Sequence, residues 1–528
     1  MSTSIHNPVL RGFNPDPSFV RVGNDYYIAT STFEWFPGVQ IHHSRDLVHW
    51  RLIGQALTRV SQLDLRGVPD SGGIWAPSLS FAGGKFWLVY TIVRTWGAGR
   101  PFKDTHNYLV TASSIEGPWS EPVFLHSRGF DASLFHDDDG RKWIVGIEWD
   151  YREGRPRFGG IILQEFDPQA GGMVGPVRKI LQKQVLIEGP NLYRHGGWYY
   201  LMLAEGGTGW AHSISMARSR DLGGPYELDT HPVVLTANDD PGWPLQKAGH
   251  GELVETPAGE WYLAHLCSRA FGPERRCILG RETALQQVVW SPDGWLRLST
   301  GGVHPLVEVA APAGLPVMPW PARPARDDFE RDALSPEWST LRVPASEGWL
   351  SLRERPGWLR LRGRECPHSL HDQSLVAQRL QTFRCVAETR LAFAPTHFTQ
   401  AAGLVCWYDT RTHFALRMTH DESRGPILGV VLTDDGKYQE PAEGTLSVAG
   451  WSDMYLRADI AAPRLTFSAS PDGMRWQRVG PDLDVTKLSD DYGQGLHFTG
   501  AFVGLYAQDL AGTRAVADFD YFELREIA

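Results

Sequence analysis

The sequence predicts an all-β protein: a five-bladed β-propeller followed by a lectin-like β-sandwich. Three observations carry this. A unit of strand, Gly-containing turn and aromatic strand recurs five times, with 55 to 62 residues from one copy to the next. A stretch with five prolines in fifteen residues, 311–325, follows the last copy. Beyond it, short alternating strands run to the C-terminus without a visible repeat. A long, regular period of hairpins marks a repeat architecture, and a unit of this size has room for about four strands, one propeller blade.

The units begin at Asp16, Ala76, Asp131, Glu188 and His250, and each reaches its aromatic strand at Tyr27, Trp87, Trp143, Tyr199 or Tyr262, 11 or 12 residues on. In a ring of blades, equivalent positions lie at equal depth around the axis, so these five heads converge. Three are carboxylates, and converging like charges cost stability. That cost favours a functional reading over a purely structural one. In blade one, Pro15 and Pro17 predict an extended backbone at Asp16. The following loop, Ser31 to Pro37, is too rich in large rings to face only solvent. The His42-His43 pair lacks helical metal spacing and reads as structural. In blade two the head is Ala76, so Trp75 is the residue expected at the pole.

Blade three carries Asp131. Its Asp137-Asp138-Asp139-Gly140 resembles a fragment of a calcium loop but lacks the remaining ligands and reads as a hairpin turn. Blade four carries Glu188 and a Gly-rich loop, Ala204 to Trp210. That loop lacks the Lys and the strand-to-helix setting of a phosphate loop; its Thr208 joins the candidate substrate-binding set. Blade five carries His250, and Arg281 on a later strand brings a cation. The prolines of 311–325 exclude a sheet interior and mark a linker. The expected domains are 1–310, the catalytic propeller; 311–326, the linker; and 327–528, a two-sheet sandwich contributing to the active-site pocket. Its strands are expected at Trp349 to Arg353, Trp358 to Arg362, Val386 to Phe393, Ala402 to Tyr408, Phe414 to Met418 and Phe519 to Leu524.

Composition narrows the function. The net charge of −10 and the lack of a basic stretch argue against nucleic acid and anionic membranes. The 21 Trp, 16 Tyr and 23 Phe suit either sugar stacking or propeller cores. The N-terminal residues show neither a basic region nor an apolar run, so no signal peptide or membrane span is expected. Five cysteines, odd in number and without metal spacing, fit a reducing, cytoplasmic compartment. Self-association into a homo-oligomer is left open.

A polar tunnel mouth with three carboxylates, aromatics and one Arg suits glycoside hydrolysis. That reaction needs one carboxylic acid to protonate the leaving oxygen and one carboxylate as base or nucleophile. A second carboxylate near the acid raises its pKa by repulsion. On Gly12 to Ser18, Gly73 to Pro77, Phe130 to Leu134, Ile187 to Tyr193, Ala248 to His250 and Gly280 to Thr283, the chain resembles a family 43 glycoside hydrolase of the β-xylosidase type, tail included.

The resemblance implies an inverting, exo-acting enzyme that releases xylose from the non-reducing end of β-1,4-xylo-oligosaccharides. By that resemblance Asp16 is the general base, Glu188 the general acid, and Asp131 the residue that tunes and orients the acid. Arg281 holds sugar hydroxyls and the Asp131 carboxylate, and Phe33 and Trp75 line the terminal-sugar subsite. No cofactor is required; His250 matches a histidine that in some members binds a divalent cation through water, so a weakly held calcium is expected there at most, with a core histidine as the competing reading. A sandwich loop is expected to close the pocket, with Phe498 to Phe502 as the candidate and Phe498 and Phe502 as its wall. An α-L-arabinofuranosidase, or an enzyme for both sugars, is the alternative. A non-catalytic carbohydrate-binding protein is more remote, because binding needs no acid of raised pKa. A fructosidase-like transferase lacks its Trp-Met-Asn-Asp-Pro-Asn-Gly type of motif here.

Overall fold

The computed structural model describes residues 4–97 and 100–527. Among them the regular elements are strands, apart from one 3-10 turn at Val485–Lys487. No helix is long and apolar enough to cross a membrane.

Five antiparallel sheets follow one another in chain order. Blade one is built from Ser18–Val22, Asp25–Thr30, Gly38–Ser44 and Arg51–Leu57; blade two from Gly73–Ala82, Lys85–Thr95, Asp104–Ala112 and Val123–His126. Blade three takes Ser133–His136, Lys142–Trp149, Phe158–Asp167 and Gly172–Leu181. Blade four takes Ile187–His195, Trp198–Glu205, Ser213–Ser219 and Glu227–Leu228, with Leu235–Thr236 also on its third strand. Blade five takes Gln246–Glu255, Trp261–Ser268, Glu282–Trp290 and Leu296–Leu298.

The repeated aromatics are the packing between blades. Tyr27 meets Phe86 of the next blade edge to face at 5.7 Å, and Tyr199 meets Phe135 of the preceding one at 6.1 Å. The ring closes between blades one and five, where the Glu252 carboxylate accepts from Ser18 Oγ (2.9 Å) and the Phe19 amide (2.7 Å). Ser4–His6 also pairs antiparallel with Glu308–Ala310, tying the start of the chain to the end of the propeller.

Residues 326–526 form two large sheets packed face to face around a core that includes Leu404, Leu416, Val430, Leu456, Phe467 and Leu505. The six expected strands are present, within a few residues of their expected ends. Strands at Gly425–Asp434, Tyr455–Ala461, Arg464–Ser470 and Gln477–Asp484 complete the sheets.

Three local features depart from expectation. The ring-rich loop after blade one's second strand contributes Trp35–Phe36 as an edge strand of the sandwich, paired with Ser339–Leu341. The Pro-rich stretch is pinned along the propeller: Met318 N donates to Asp46 (2.8 Å), Trp320 Nε1 to the His49 carbonyl (3.2 Å), and Arg51 covers the Trp320 ring at 3.8 Å. Asp16 is not extended but takes φ +54°, and two other heads, Asp131 and His250, do the same at +53° and +44°. Asp, Asn and His tolerate this left-handed region better than other residues with a side chain, and the strain costs about 1–3 kcal/mol each. Its recurrence at equivalent positions of three blades points to the site they share.

Candidate active site

Four of the five heads, Asp16, Asp131, Glu188 and His250, open into one cavity of about 620 Å³ at the propeller's pole, and in blade two Trp75 takes the place of Ala76. Asp16, Asp131, Glu188, His250, Arg281 and Thr208 line it with the rings of Phe33, Trp75, Trp96, Phe130 and Phe498. The opposite wall is sandwich loop 490–498.

The Gly280-Arg281-Glu282-Thr283 stretch positions Asp16. Glu282, fully buried, accepts from Arg269 (2.7 and 2.8 Å) and from the Gly12 amide (2.7 Å). Thr283 Oγ1 donates to the Asn14 carbonyl (2.6 Å), and the Asn14 amide to the Arg281 carbonyl (2.9 Å). These bonds lock residues 12–14 against blade five just before Asp16. Gly280 has a different task. A Cβ on it would lie 1.9 Å from the Thr499 carbonyl oxygen, so only glycine lets the sandwich loop come this close.

Contrary to expectation, the carboxylate that Arg281 holds is Asp16 and not Asp131: its Nη1 reaches Asp16 Oδ1 at 3.0 Å and Thr208 Oγ1 at 2.9 Å, while its Nε donates to the Phe498 carbonyl at 3.2 Å. Ser31 Oγ donates to Asp16 Oδ2 at 2.7 Å, and His250 Nδ1 lies 3.5 Å from Oδ1. Burial pushes the Asp16 carboxyl up, but Arg281, His250 and Ser31 outweigh it and hold the group well below the usual carboxylate range. Asp16 is therefore an anion with a free face toward the cavity.

The other two acids go the opposite way. Asp131 accepts from the Gly189 amide at 3.1 Å, which fixes it beside Glu188. Burial, then the charge of Asp16, raises Asp131, against the pull of His250, the Gly189 amide and Lys103. Glu188 is raised by burial and by Asp131, against His250 and Lys103. Its side chain keeps an opening to the cavity while protein atoms crowd it on the other sides. Two carboxyls on one cavity, one held ionised and one held protonated, make the kind of pair that two-carboxylate hydrolysis uses.

His250 is held as an imidazolium. Burial lowers its pKa, but Asp16, Asp131 and Glu188 raise it to about 9. Gly189 fits against the ring; a Cβ there would lie 2.8 Å from Nε2. A protonated histidine is no metal ligand. Among the described residues no three His, Cys, Asp or Glu side chains are grouped as a cation cage. Direct ligation of a cation by His250 would have to displace that proton, whereas a calcium held through water beside the ring would not.

The family profile described as Glycosyl hydrolases family 43 matches residues 5–296, and the one described as the β-xylosidase C-terminal concanavalin A-like domain matches residues 326–525. The chain belongs to glycosyl hydrolase family 43. It is 47% identical to a xylan 1,3-β-xylosidase from a Vibrio species, covering 100% of both chains. It is 46% identical to xylosidase/arabinosidase 43B from Humicola insolens, covering 99% of this chain and 98% of that one. The crystal structure of a xylan β-1,4-xylosidase from Bacillus halodurans superimposes with a TM-score of 0.97 at 53% identity, over 99% of this chain and 100% of that one. Membership makes the protein a glycosidase.

Of the residues singled out in the sequence, Phe502 alone lies outside the cavity. It is fully buried and stacked on Trp35 at 4.0 Å, at the start of strand Phe502–Asp509, where alternation turns it into the domain interface. Phe498 is the ring that reaches the pocket, 5.7 Å from Trp75 and 5.0 Å from Trp96. Lys103, Trp96, Trp210 and loop residues 490–497 line the cavity and went unread in the sequence, because none belongs to the repeat. Lys103 Nζ sits 4.1 Å from the Trp149 ring centre and 4.7 Å from that of Phe130; burial lowers its pKa, against the charges of Glu188 and Asp131.

A pH test follows from the raised Glu188. If it works as an acid, kcat/KM falls on the alkaline side as Glu188 loses its proton. An Asp131 anion makes that loss harder. Asp131→Asn removes the repulsion, lowers the pKa of Glu188, and is expected to move the alkaline limb of the kcat/KM profile to lower pH. An unchanged or upward-shifted limb would detach Asp131 from the acid.

Proposed function

We propose that this glycosidase is an inverting, exo-acting β-D-xylosidase that removes one xylose from the non-reducing end of β-1,4-xylo-oligosaccharides. The observation that carries the reading is the split between an ionised Asp16 and a protonated Glu188 facing one cavity. Asp16 takes a proton from a water that attacks the anomeric carbon opposite the leaving group. Glu188 gives its proton to the glycosidic oxygen as that bond breaks. Asp131 keeps Glu188 protonated between turnovers. Arg281 holds the Asp16 carboxylate and, with Thr208, lines the cavity where the sugar hydroxyls would lie. Phe33, Trp75 and Phe498 offer ring faces to the apolar side of the sugar. No step runs through a metal.

Inversion has a direct readout. Proton NMR during early turnover of a β-xyloside is expected to show α-xylose first. Early β-xylose would mean a covalent intermediate and a different role for Asp16.

A second sugar is favoured by one observation: the Humicola relative is named as both xylosidase and arabinosidase. Parallel assays of aryl β-D-xyloside and aryl α-L-arabinofuranoside decide between them. The xyloside reading requires the larger kcat/KM on the first. We propose that the enzyme works in a reducing compartment and meets short oligosaccharides rather than polymer; the five unpaired cysteines support this.

A further inference from the structure

The cavity-lining rings of Trp75, Phe130 and Phe158 are backed by the half-buried Trp149. Trp75 packs on Phe130 at 5.3 Å, Phe130 on Trp149 at 6.2 Å, and Trp149 on Phe158 at 5.4 Å. Trp149 Nε1 donates to the Pro101 carbonyl at 2.8 Å. That bond fastens the segment after Arg100 in blade two to the edge of blade three. Next to these two anchors stand Phe102 and Tyr151, their ring centres 4.8 Å apart. Phe102 is 60% exposed and Tyr151 52%. Among the described residues no other contacting pair of Phe, Tyr or Trp rings leaves both residues more than half exposed.

Two large rings held together in water forgo the burial that drives rings inward. Single exposed apolar side chains are ordinary, but a paired platform beside Lys103, which lines the cavity, and Trp149, which backs it, marks a recognition surface. Its direction from the chemistry is also fixed. Lys103, the neighbour of Phe102, lies within electrostatic reach of Glu188, the proposed acid that protonates the leaving oxygen. On the exo-acting reading the cavity takes the terminal unit, so any sugar unit held outside it belongs to the departing part of the oligosaccharide.

We propose that Phe102 and Tyr151 form an outer subsite that stacks a xylosyl unit of the departing part of the oligosaccharide. This rests on the reading of the cavity as a xylosidase site. The platform makes no contact with the reacting atoms, so it acts on substrates long enough to reach it and is silent for short ones.

The test is kcat/KM for Phe102→Ala, Tyr151→Ala and the double variant on an aryl β-xyloside, xylobiose, xylotriose and xylotetraose, with thermal melting to confirm folding. The aryl xyloside and xylobiose are expected to stay within about twofold of the wild type. On substrates of three or more units the double variant is expected to lose roughly tenfold, the scale of one lost ring–sugar contact. Equal losses on all four substrates would assign the rings a structural role, and no loss on the longer ones would leave them without a sugar; either result overturns the proposal. The wild-type control separates this from the parent reading. An enzyme that fails on every xyloside refutes the xylosidase, and the same length comparison is then made on the oligosaccharide series that it does cleave.

Discussion

Replacing Asp16 or Glu188 with alanine is expected to lower kcat/KM on xylobiose by about 10²–10⁴-fold, the usual contribution of a positioned acid or base. The two losses differ in kind. Asp16→Ala removes the group that activates water, so the deficit is the same for poor and good leaving groups. Glu188→Ala removes the proton donor, so its deficit shrinks on aryl xylosides whose phenolate leaves without help. The stability effects differ as well. Asp16 neutralises two buried cations, Arg281 and His250, and alanine leaves both unpaired, which destabilises. Asp16→Asn, which keeps the shape and an acceptor oxygen, separates lost chemistry from lost folding.

Glu188 has the opposite balance. Its folded pKa lies above its unfolded value. Its contribution is thus fully present below the unfolded pKa and fades as pH rises through the folded one. Glu188→Ala removes this penalty and relieves the repulsion with Asp131, so its melting temperature at neutral pH is expected to equal or exceed that of the wild type. Near-wild-type turnover of xylobiose by Glu188→Ala, or by both Asp16 variants, would remove the residue concerned from the mechanism.

Legibility in the sequence followed the range of the interactions. The five hairpins were readable because turn and aromatic strand lie within a dozen residues of each other, and the period repeats the signal. The heads converged as expected because a ring imposes equal depth. What was not readable depends on partners far along the chain. Trp35–Phe36 is a strand only because Ser339–Leu341 lies beside it. Asp16 between two prolines obeys a local rule that predicts extended backbone, yet bonds from Ser31 and Arg281 hold it at positive φ. Lys103 precedes an ordinary strand, and nothing nearby announces that its ammonium group ends among Trp149, Phe130 and Trp75. The expectation that Phe502 joins Phe498 in the pocket wall failed for a similar reason. An aromatic at a strand start faces one of two sides, and the register that decides between them is set by strands Ser374–Arg379 and Gln400–Trp407.

The sandwich is expected to be indispensable both to the propeller's stability and to the site, so a fragment ending at residue 325 is expected to be insoluble or to retain only a trace of activity on an aryl xyloside. The interface is a shared apolar core. Phe13, Phe33, Trp35 and Trp75 of the propeller pack in one cluster with Leu341, Leu375, Trp407, Phe502 and Tyr506 of the sandwich. Each large ring carries roughly 150–250 Å² of surface. Uncovering even half of Phe13 and Trp35 forfeits about 4–6 kcal/mol at ~25 cal/mol per Å², which is comparable to the whole stability of an average domain, about 5–15 kcal/mol. Charges would be stranded as well. Asp70 pairs with Arg342 at 2.7 Å, and the buried Lys247 with Asp491 at 2.8 Å.

At the site, Arg281 would lose the Phe498 carbonyl, and the cavity would lose the wall formed by residues 490–498, admitting water beside the acid. Because an unfolded fragment cannot separate these effects, Phe498→Ala in the full-length chain is the companion measurement. It leaves the Trp35–Phe502 stack intact, so melting is expected to change by only a few degrees while kcat/KM on the aryl xyloside falls by about tenfold or more, the value of a ring lost from the sugar-binding wall. A soluble 1–325 fragment with the intact enzyme's catalytic efficiency, or an unaltered Phe498→Ala enzyme, would show that the propeller completes its pocket alone.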